Sequence, residues 1–265
     1  MKPPPLDDPD APVLVVDVGN HSVKLGIWSQ GSVKGQLSVA TGDASAFDRA
    51  LEAERQSFPR RLPPAVVIAS VVPAVLEQLC SGPLTVFPRR PLVVGDSIPL
   101  PMDMGVDDPK AIGVDRVCAA AAAYERLRTA CTVVDFGTAI TVDLVDDDGV
   151  LMGGAILPGI EMQLRALHEH TAVLPHVAPD TCPFPYGRNT TEAIQTGVGR
   201  GVVGAVRAIV EGYATHLNRW PQVVATGGDL PAIAAQFDFL DTLTDGLTLS
   251  GIGLAYRRHL AAMGA

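Results

Sequence analysis

The chain has 265 residues, 47% of them hydrophobic and 18% charged, with a formal net charge of −9. That balance belongs to a folded globular protein rather than a disordered one, and so acidic a chain repels a nucleic-acid duplex. The nearest approach to a basic cluster is the pairs Arg60-Arg61, Arg89-Arg90 and Arg257-Arg258, so no nucleic acid is expected as a partner, and no apolar run reaches the length of a membrane span.

Residues 1–12 are proline-rich and acidic and lack the basic start and apolar stretch of a secretion signal. They read as a disordered extension of a cytoplasmic protein. Cys80, Cys118, Cys131 and Cys182 are scattered, with no pair at zinc-ligand or redox-motif spacing, as suits thiols kept in a reducing compartment.

Val13-Leu14-Val15-Val16 is too short for a helix and rich in β-branched side chains, so it predicts a strand that ends on Asp17 and turns at Gly19 and Asn20. In the alternating run that follows, Val23, Leu25 and Ile27 share one face, while Lys24 and Trp28 take the other. The result is a hairpin whose tip carries an acid, a glycine turn and a lysine. Such a tip suits a phosphate chain with its metal ion, and taken singly it suits an ordinary hairpin equally well.

A third strand is expected over Ser38–Thr41, and Phe47, Ala50, Leu51 and Ala53 give helical spacing to Ala44–Phe58. Ala65–Val72 reads as a buried strand, with Pro73 placed where a helix can begin. Short strands are expected at Leu84–Phe87 and Leu92–Val94. Val117–Glu125 is an alanine-rich helix, able to pack closely on another helix, including one from a second subunit. Asp115 and Arg116 stand at its start. There the aspartate is either a first-turn acid favoured by the helix dipole or a carboxylate facing substrate.

The second half opens on a copy of the first pattern. In Thr132–Leu144 an apolar run leads to Asp135, one spacer, Gly137, Thr138 and an alternating strand. Two matched strand-turn-strand units suggest two related domains around one nucleotide. Asp146–Gly149 is an acidic hairpin tip, and the glycines of Gly153–Gly159 permit close backbone approach. Helices are expected over Glu161–His170, from Glu192 to about Trp220 with a cap at Thr190 or Thr191, and over Leu247–His259. Val223–Asp229 is a strand running into a Gly-Gly turn, suited to passing a flat adenine or ribose.

Taken in order, these motifs resemble those of type III pantothenate kinases, a bacterial family of the acetate and sugar kinase, heat-shock ATPase and actin superfamily. Asp17-Val18-Gly19-Asn20 resembles the first phosphate motif, Gly113-Val114-Asp115-Arg116 the pantothenate motif, Asp135-Phe136-Gly137-Thr138 the second phosphate motif and Thr226-Gly227-Gly228 the adenosine motif. Gly153–Gly159 and Asn189-Thr190 also match, and the resemblance spans residues 13–255.

The resemblance implies an α/β fold of two ribonuclease-H-like (actin-like ATPase) domains, residues 13–128 and 129–265, with the nucleotide cleft between them. It implies a homodimer that completes the pantothenate pocket. The implied reaction is ATP-dependent phosphorylation of pantothenate to 4′-phosphopantothenate, the first step toward coenzyme A. On that basis Asp17, Val18, Gly19, Asn20, His21, Ser22, Val23, Lys24 and Thr138 bind ATP with Mg²⁺, and Asp115 accepts the proton. Val106, Gly113, Val114, Asp115, Arg116 and Thr190 bind pantothenate, and Asp135 binds a monovalent cation, K⁺ or NH₄⁺. Two positions depart from the family pattern: His21 stands where a threonine is usual, and Val106 where a tyrosine touches pantothenate. These departures motivate the alternatives of a non-catalytic, ligand-binding regulatory relative and of a superfamily kinase for another small alcohol or acid.

Overall fold

The computed structural model describes residues 11–57, 65–180 and 185–264. Most of the expected N-terminal extension, Arg60-Arg61 and Cys182 therefore lie outside the described residues. Among the described residues, no helix is long and apolar enough to cross a membrane.

The chain divides into two compact units, one formed by the described residues of Met1–Arg126 and Gly246–Ala265, the other by Leu127–Asp245. The first begins with β1 (Val13–Val18), β2 (Ser22–Ser29), β3 (Ser32–Ala40) and α1 (Ala44–Ser57). It continues with β4 (Val66–Ser70), α2 (Pro73–Ser81), β5 (Leu92–Val93) and α3 (Val114–Leu127). Its sheet has the order β3-β2-β1-β4-β5, with β1, β2 and β3 antiparallel and β4 and β5 parallel to β1.

The second unit repeats this arrangement. It holds β6 (Cys131–Phe136), β7 (Ala139–Val145), β8 (Leu151–Pro158), α4 (Ile160–Glu169), α5 (Thr190–Leu217), β9 (Gln222–Thr226), α6 (Leu230–Ile233) and β10 (Thr242–Leu243). The sheet order is β10-β9-β6-β7-β8, with β7 antiparallel and β9 parallel to β6. Three antiparallel strands continued by parallel ones form the ribonuclease-H-like sheet, and the chain contains it twice.

α7 (Leu247–Gly264) then returns to the first unit. A partition into residues 13–128 and 129–265 therefore does not describe the packing of the C-terminal helix. The sequence of α7 explains why. Its residues from Leu247 to Tyr256 are all buried, and it has two glycines at its contact surface. A Cβ on Gly251 would collide with the backbone of Cys118 in α3, and one on Gly253 with the indole of Trp28 in β2.

The alanine-rich α3 therefore has its close-packed partner within the chain. Beyond the glycine contacts, Glu125 of α3 takes Arg257 at 2.5 Å and Arg258 at 3.0 Å from α7.

β1 is buried along its whole length because helices cover both faces of the sheet. Leu14, Val16 and Val18 face one way, into a core with Phe47 and Leu51 of α1 and Leu79 of α2. Val13 and Val15 face the other way, with Cys118 of α3 and Leu249, Ile252 and Tyr256 of α7. Asp17 falls on this second face by the two-residue alternation.

In the second unit, Ile194, Val198, Val202, Val206 and Val210 of α5 form one buried ridge on β6, β7 and β9. Valine is a modest helix former, so this ridge owes its helical state to packing rather than propensity. Leu84–Phe87, expected as a strand, is a short 3₁₀ turn over Pro83–Val86, with proline in its first turn and Leu84 buried.

Candidate active site

Each unit carries a tight turn at the end of its central strand. In the first unit, Asp17 pairs in register with Lys24 across the hairpin, and Gly19, Asn20 and His21 connect the strands. The Gly19 N–H donates to the Ser22 carbonyl at 3.0 Å. Asp17 is only 7% exposed, whereas Asn20 and His21 are exposed. Thr41, just beyond β3, grips this turn twice: its hydroxyl donates to the Gly19 carbonyl at 2.7 Å and its N–H to the His21 carbonyl at 3.0 Å.

The same face of the sheet receives the start of α3. Asp115 lies in the first turn of that helix, and its Oδ1 accepts the Arg116 N–H at 2.9 Å. A Cβ at position 113 would fall 2.5 Å from the same oxygen, so Gly113 is required for the carboxylate to lie where it does. Asp17 and Asp115 meet electrostatically at Cys118. Burial first, and then the charges of Asp17 and Asp115, hold the Cys118 thiol well above its ordinary pKa. Val114 of α3 packs on the core that Val13 and Val15 of β1 enter, so the first phosphate motif and the expected proton acceptor lie on the same side of this unit's sheet, while Val106, half-exposed, lies on the loop between β5 and α3.

In the second unit, Asp135 is half-buried near the end of β6, opposite Thr141 and Thr226, and Thr138 is exposed at the turn. The Gly137 N–H donates to the Ala139 carbonyl at 3.2 Å, and Gly159 donates to the Thr138 carbonyl at 3.0 Å. A Cβ on Gly159 would strike the carbonyls of Gly137 and Thr138. Gly227, with φ of +112°, lies equally close against the backbone of Phe136, and the Asp229 N–H donates to the Phe136 carbonyl at 3.0 Å. The expected adenosine motif and second phosphate motif are therefore tied together.

Two acids missed in the sequence border that turn. Burial, and then the charge of Glu161, raise the pKa of Asp229. Glu161, in the first turn of α4, lies 3.3 Å from Nε2 of His176.

Thr190 is the first residue of α5. Asn189 caps α5 in place of the expected Thr190 or Thr191. Its Oδ1 accepts the Glu192 N–H at 3.0 Å, while the Glu192 carboxylate accepts the Arg188 N–H at 2.8 Å. The cap resembles a capping box, shifted by one residue on the return bond, which reaches Arg188 rather than the N-cap itself. Thr190 instead lines a hollow of about 340 Å³ with Leu167, Leu174, Ala193, Ile194 and Gly197. The acids of the β7–β8 tip serve the backbone: Asp146 accepts the Asp148 and Val150 N–H groups, and Asp147 accepts that of Ala130.

Residues 13–212 match the family model described as type III pantothenate kinase. The chain belongs to the type III pantothenate kinase family. A type III pantothenate kinase of Anaeromyxobacter sp. (strain K) is 38% identical over 256 residues, covering 93% of this chain and 99% of the relative. One of Geobacter sulfurreducens is 37% identical with the same coverages, and one of Listeria monocytogenes serovar 1/2a is 34% identical, covering 93% and 97%. Among solved structures, a conserved Campylobacter jejuni protein described as a Baf family transcriptional activator superposes with a TM-score of 0.59 at 19% identity. That match covers 92% of this chain and 98% of the other, and it shows a shared fold. In this type III pantothenate kinase chain, the stretches that resemble the family's motifs fall on two strand-turn-strand tips, the start of α3, β8, the end of β9 and the cap of α5.

Proposed function

We propose that the chain phosphorylates pantothenate at its primary hydroxyl, giving 4′-phosphopantothenate on the way to coenzyme A. As a kinase of this family it uses ATP with a divalent metal. The observation that supports the reading is the packing of Val114, at the start of α3, on the core that Val13 and Val15 of β1 enter, with the charges of Asp17 and Asp115 both acting on the buried Cys118 thiol.

Asp17 through Lys24, with Thr138, hold the ATP phosphates. Gly113, Val114, Asp115 and Arg116, with Val106 and Thr190, hold pantothenate, and the Arg116 guanidinium makes a bidentate pair with its carboxylate. As the hydroxyl oxygen attacks the γ-phosphorus, its proton passes to Asp115, the bond to the bridging oxygen breaks and ADP leaves. Positioning and charge neutralisation carry most of such a transfer, and the carboxylate adds general-base assistance.

The donor chemistry fits the implied ions. Among the described residues, no three His, Cys, Asp or Glu side chains gather into a metal cage. Asp17 instead offers a single buried carboxylate at a phosphate turn, which suits Mg²⁺ shared with phosphate oxygens and water. Asp135, half-buried beside Gly137, offers the hard oxygen donors suited to K⁺ or NH₄⁺. These ions supply positive charge against the phosphate.

A homodimer completes the pantothenate pocket. Its support is the open face of α5, where a Cβ on Gly197, Gly201, Gly204 or Gly212 would meet nothing within 4 Å. A cytoplasmic enzyme with no nucleic-acid partner accords with the net charge of −9.

The test is to incubate the purified protein with ATP, Mg²⁺, K⁺ and pantothenate and to follow phosphopantothenate by mass spectrometry. Product above a no-enzyme control is expected. Its absence with folded protein overturns the reading, and a panel of other small alcohols and acids then shows whether Val106 marks a different acceptor.

A further inference from the structure

We infer that Thr41 is the positioning residue of the first phosphate turn, an inference that rests on the proposed kinase function. Thr41 lies 22 residues beyond Gly19, and it engages two of the three carbonyls in the Gly19–His21 connection, Gly19 through its hydroxyl and His21 through its N–H. Among the described residues, no carbonyl takes the N–H of Asn20 or of His21.

These two facts are complementary. A peptide turn can bind an anion only if its N–H dipoles converge on the anion and its carbonyl oxygens, which would repel the anion, point elsewhere. By holding the Gly19 carbonyl, the Thr41 hydroxyl fixes the peptide plane that carries the Asn20 N–H, and the Thr41 N–H fixes the plane between His21 and Ser22. A hydroxyl from just beyond β3 supplies order to the backbone of the turn, without touching the nucleotide itself.

Thr41 thereby sets how well the first turn receives ATP and has no part in holding the acceptor. Thr41→Val keeps the branched shape and the N–H while deleting the hydroxyl, and Thr41→Ser puts the hydroxyl back. Losing one such hydrogen bond raises the KM for ATP about 3- to 10-fold in Thr41→Val. The KM for pantothenate stays within about twofold, and Thr41→Ser brings the ATP value back to within about twofold of the parent protein. Thermal melting of the three proteins confirms that each is folded.

An unchanged KM for ATP in Thr41→Val, an equal rise in both KM values, or no recovery in Thr41→Ser overturns the assignment. If the parent protein forms no phosphopantothenate, the proposed function fails separately. Calorimetric titration of the same three proteins with MgATP then reads Thr41 alone. The same rise in Kd, reversed by serine, supports it, and an unchanged Kd or no binding by the parent protein overturns it.

Discussion

The two phosphate-motif turns share a topology and differ in what holds them. Gly19, Asn20 and His21 connect β1 to β2, whereas only Gly137 and Thr138 connect β6 to β7. The longer turn is braced by one side-chain hydroxyl and one N–H from Thr41. The shorter one is braced by backbone pressed on backbone, with Gly159 against Gly137 and Thr138, and Gly227 against Phe136. A duplicated fold has therefore kept its strand order and its Asp-x-Gly signature while changing its means of reinforcement. A hydroxyl brace weakens gradually when it is altered, because one hydrogen bond is worth about 1 kcal/mol. A glycine contact fails abruptly, because any added side chain overlaps backbone that has nowhere to go.

The first way to break the comparison is to remove chemistry from the first unit alone. Asp115→Asn keeps the shape and the Oδ1 acceptor for the Arg116 N–H but loses the basic oxygen. If the first unit supplies the base, kcat falls by about 10²- to 10⁴-fold, while calorimetry shows MgATP still bound with nearly the parent affinity. A variant that turns over at a near-parental rate removes Asp115 from that role and leaves it a first-turn acid of α3.

The next largest effects fall on the second unit. Gly159→Ala and Gly227→Ala each drive a methyl group into backbone, and at Gly227 the positive φ adds strain for any L side chain. Each substitution is expected to cost about 1–3 kcal/mol of stability, read as a lowered midpoint in urea, together with a fall in kcat/KM for ATP. Gly212→Ala serves as the control, because its added Cβ meets nothing within 4 Å. It gains about 0.5–1 kcal/mol of helix propensity. Similar midpoints for all three variants would show that the second turn is no more rigidly packed than an open helix face.

Much of this architecture was readable from local pattern. The apolar runs ending in Asp17 and Asp135, the buried run of β4 and the alanine-rich α3 each announce themselves within a dozen residues, because alternation and composition are local properties. What escaped was nonlocal or ambiguous. Thr41 acts on a carbonyl 22 positions back along the chain, and no residue pattern near Gly19 encodes that. The return of α7 to the first sheet depends on Gly251 and Gly253 meeting α3 and Trp28, although two glycines in an otherwise apolar helix are a signal of close packing. The Leu84–Phe87 run is too short for periodicity to separate strand from 3₁₀ turn, and Pro83 was the available clue. Asn189 followed three residues later by Glu192 is a local helix-start signal, masked by the two threonines that follow it.

The smallest effect sharpens the comparison through pH. Asp229 borders the second turn, and burial with the neighbouring charge of Glu161 raises its pKa in the folded protein. A carboxyl group that holds its proton more tightly when folded makes the folded state lose stability as pH rises from the unfolded value, about 3.9, through the folded one. Above that window the loss is complete. Asp229→Asn is therefore expected to be more stable than the parent at neutral pH, and the difference should vanish below about pH 4. Because the group is only half-buried, solvent screening keeps the gain below about 1 kcal/mol. Glu161→Gln should move stability in the same direction by removing one of the two causes. Asp147 gives the opposite sign. The Ala130 N–H and then Arg219 lower its pKa, so its contribution is present above the unfolded value and disappears as pH falls through the folded one. Urea midpoints measured from pH 3 to pH 7 for Asp229→Asn and Asp147→Asn should therefore diverge from the parent in opposite directions as pH rises. Parallel curves would mean that the acid beside the second turn is as well solvated as any surface carboxylate.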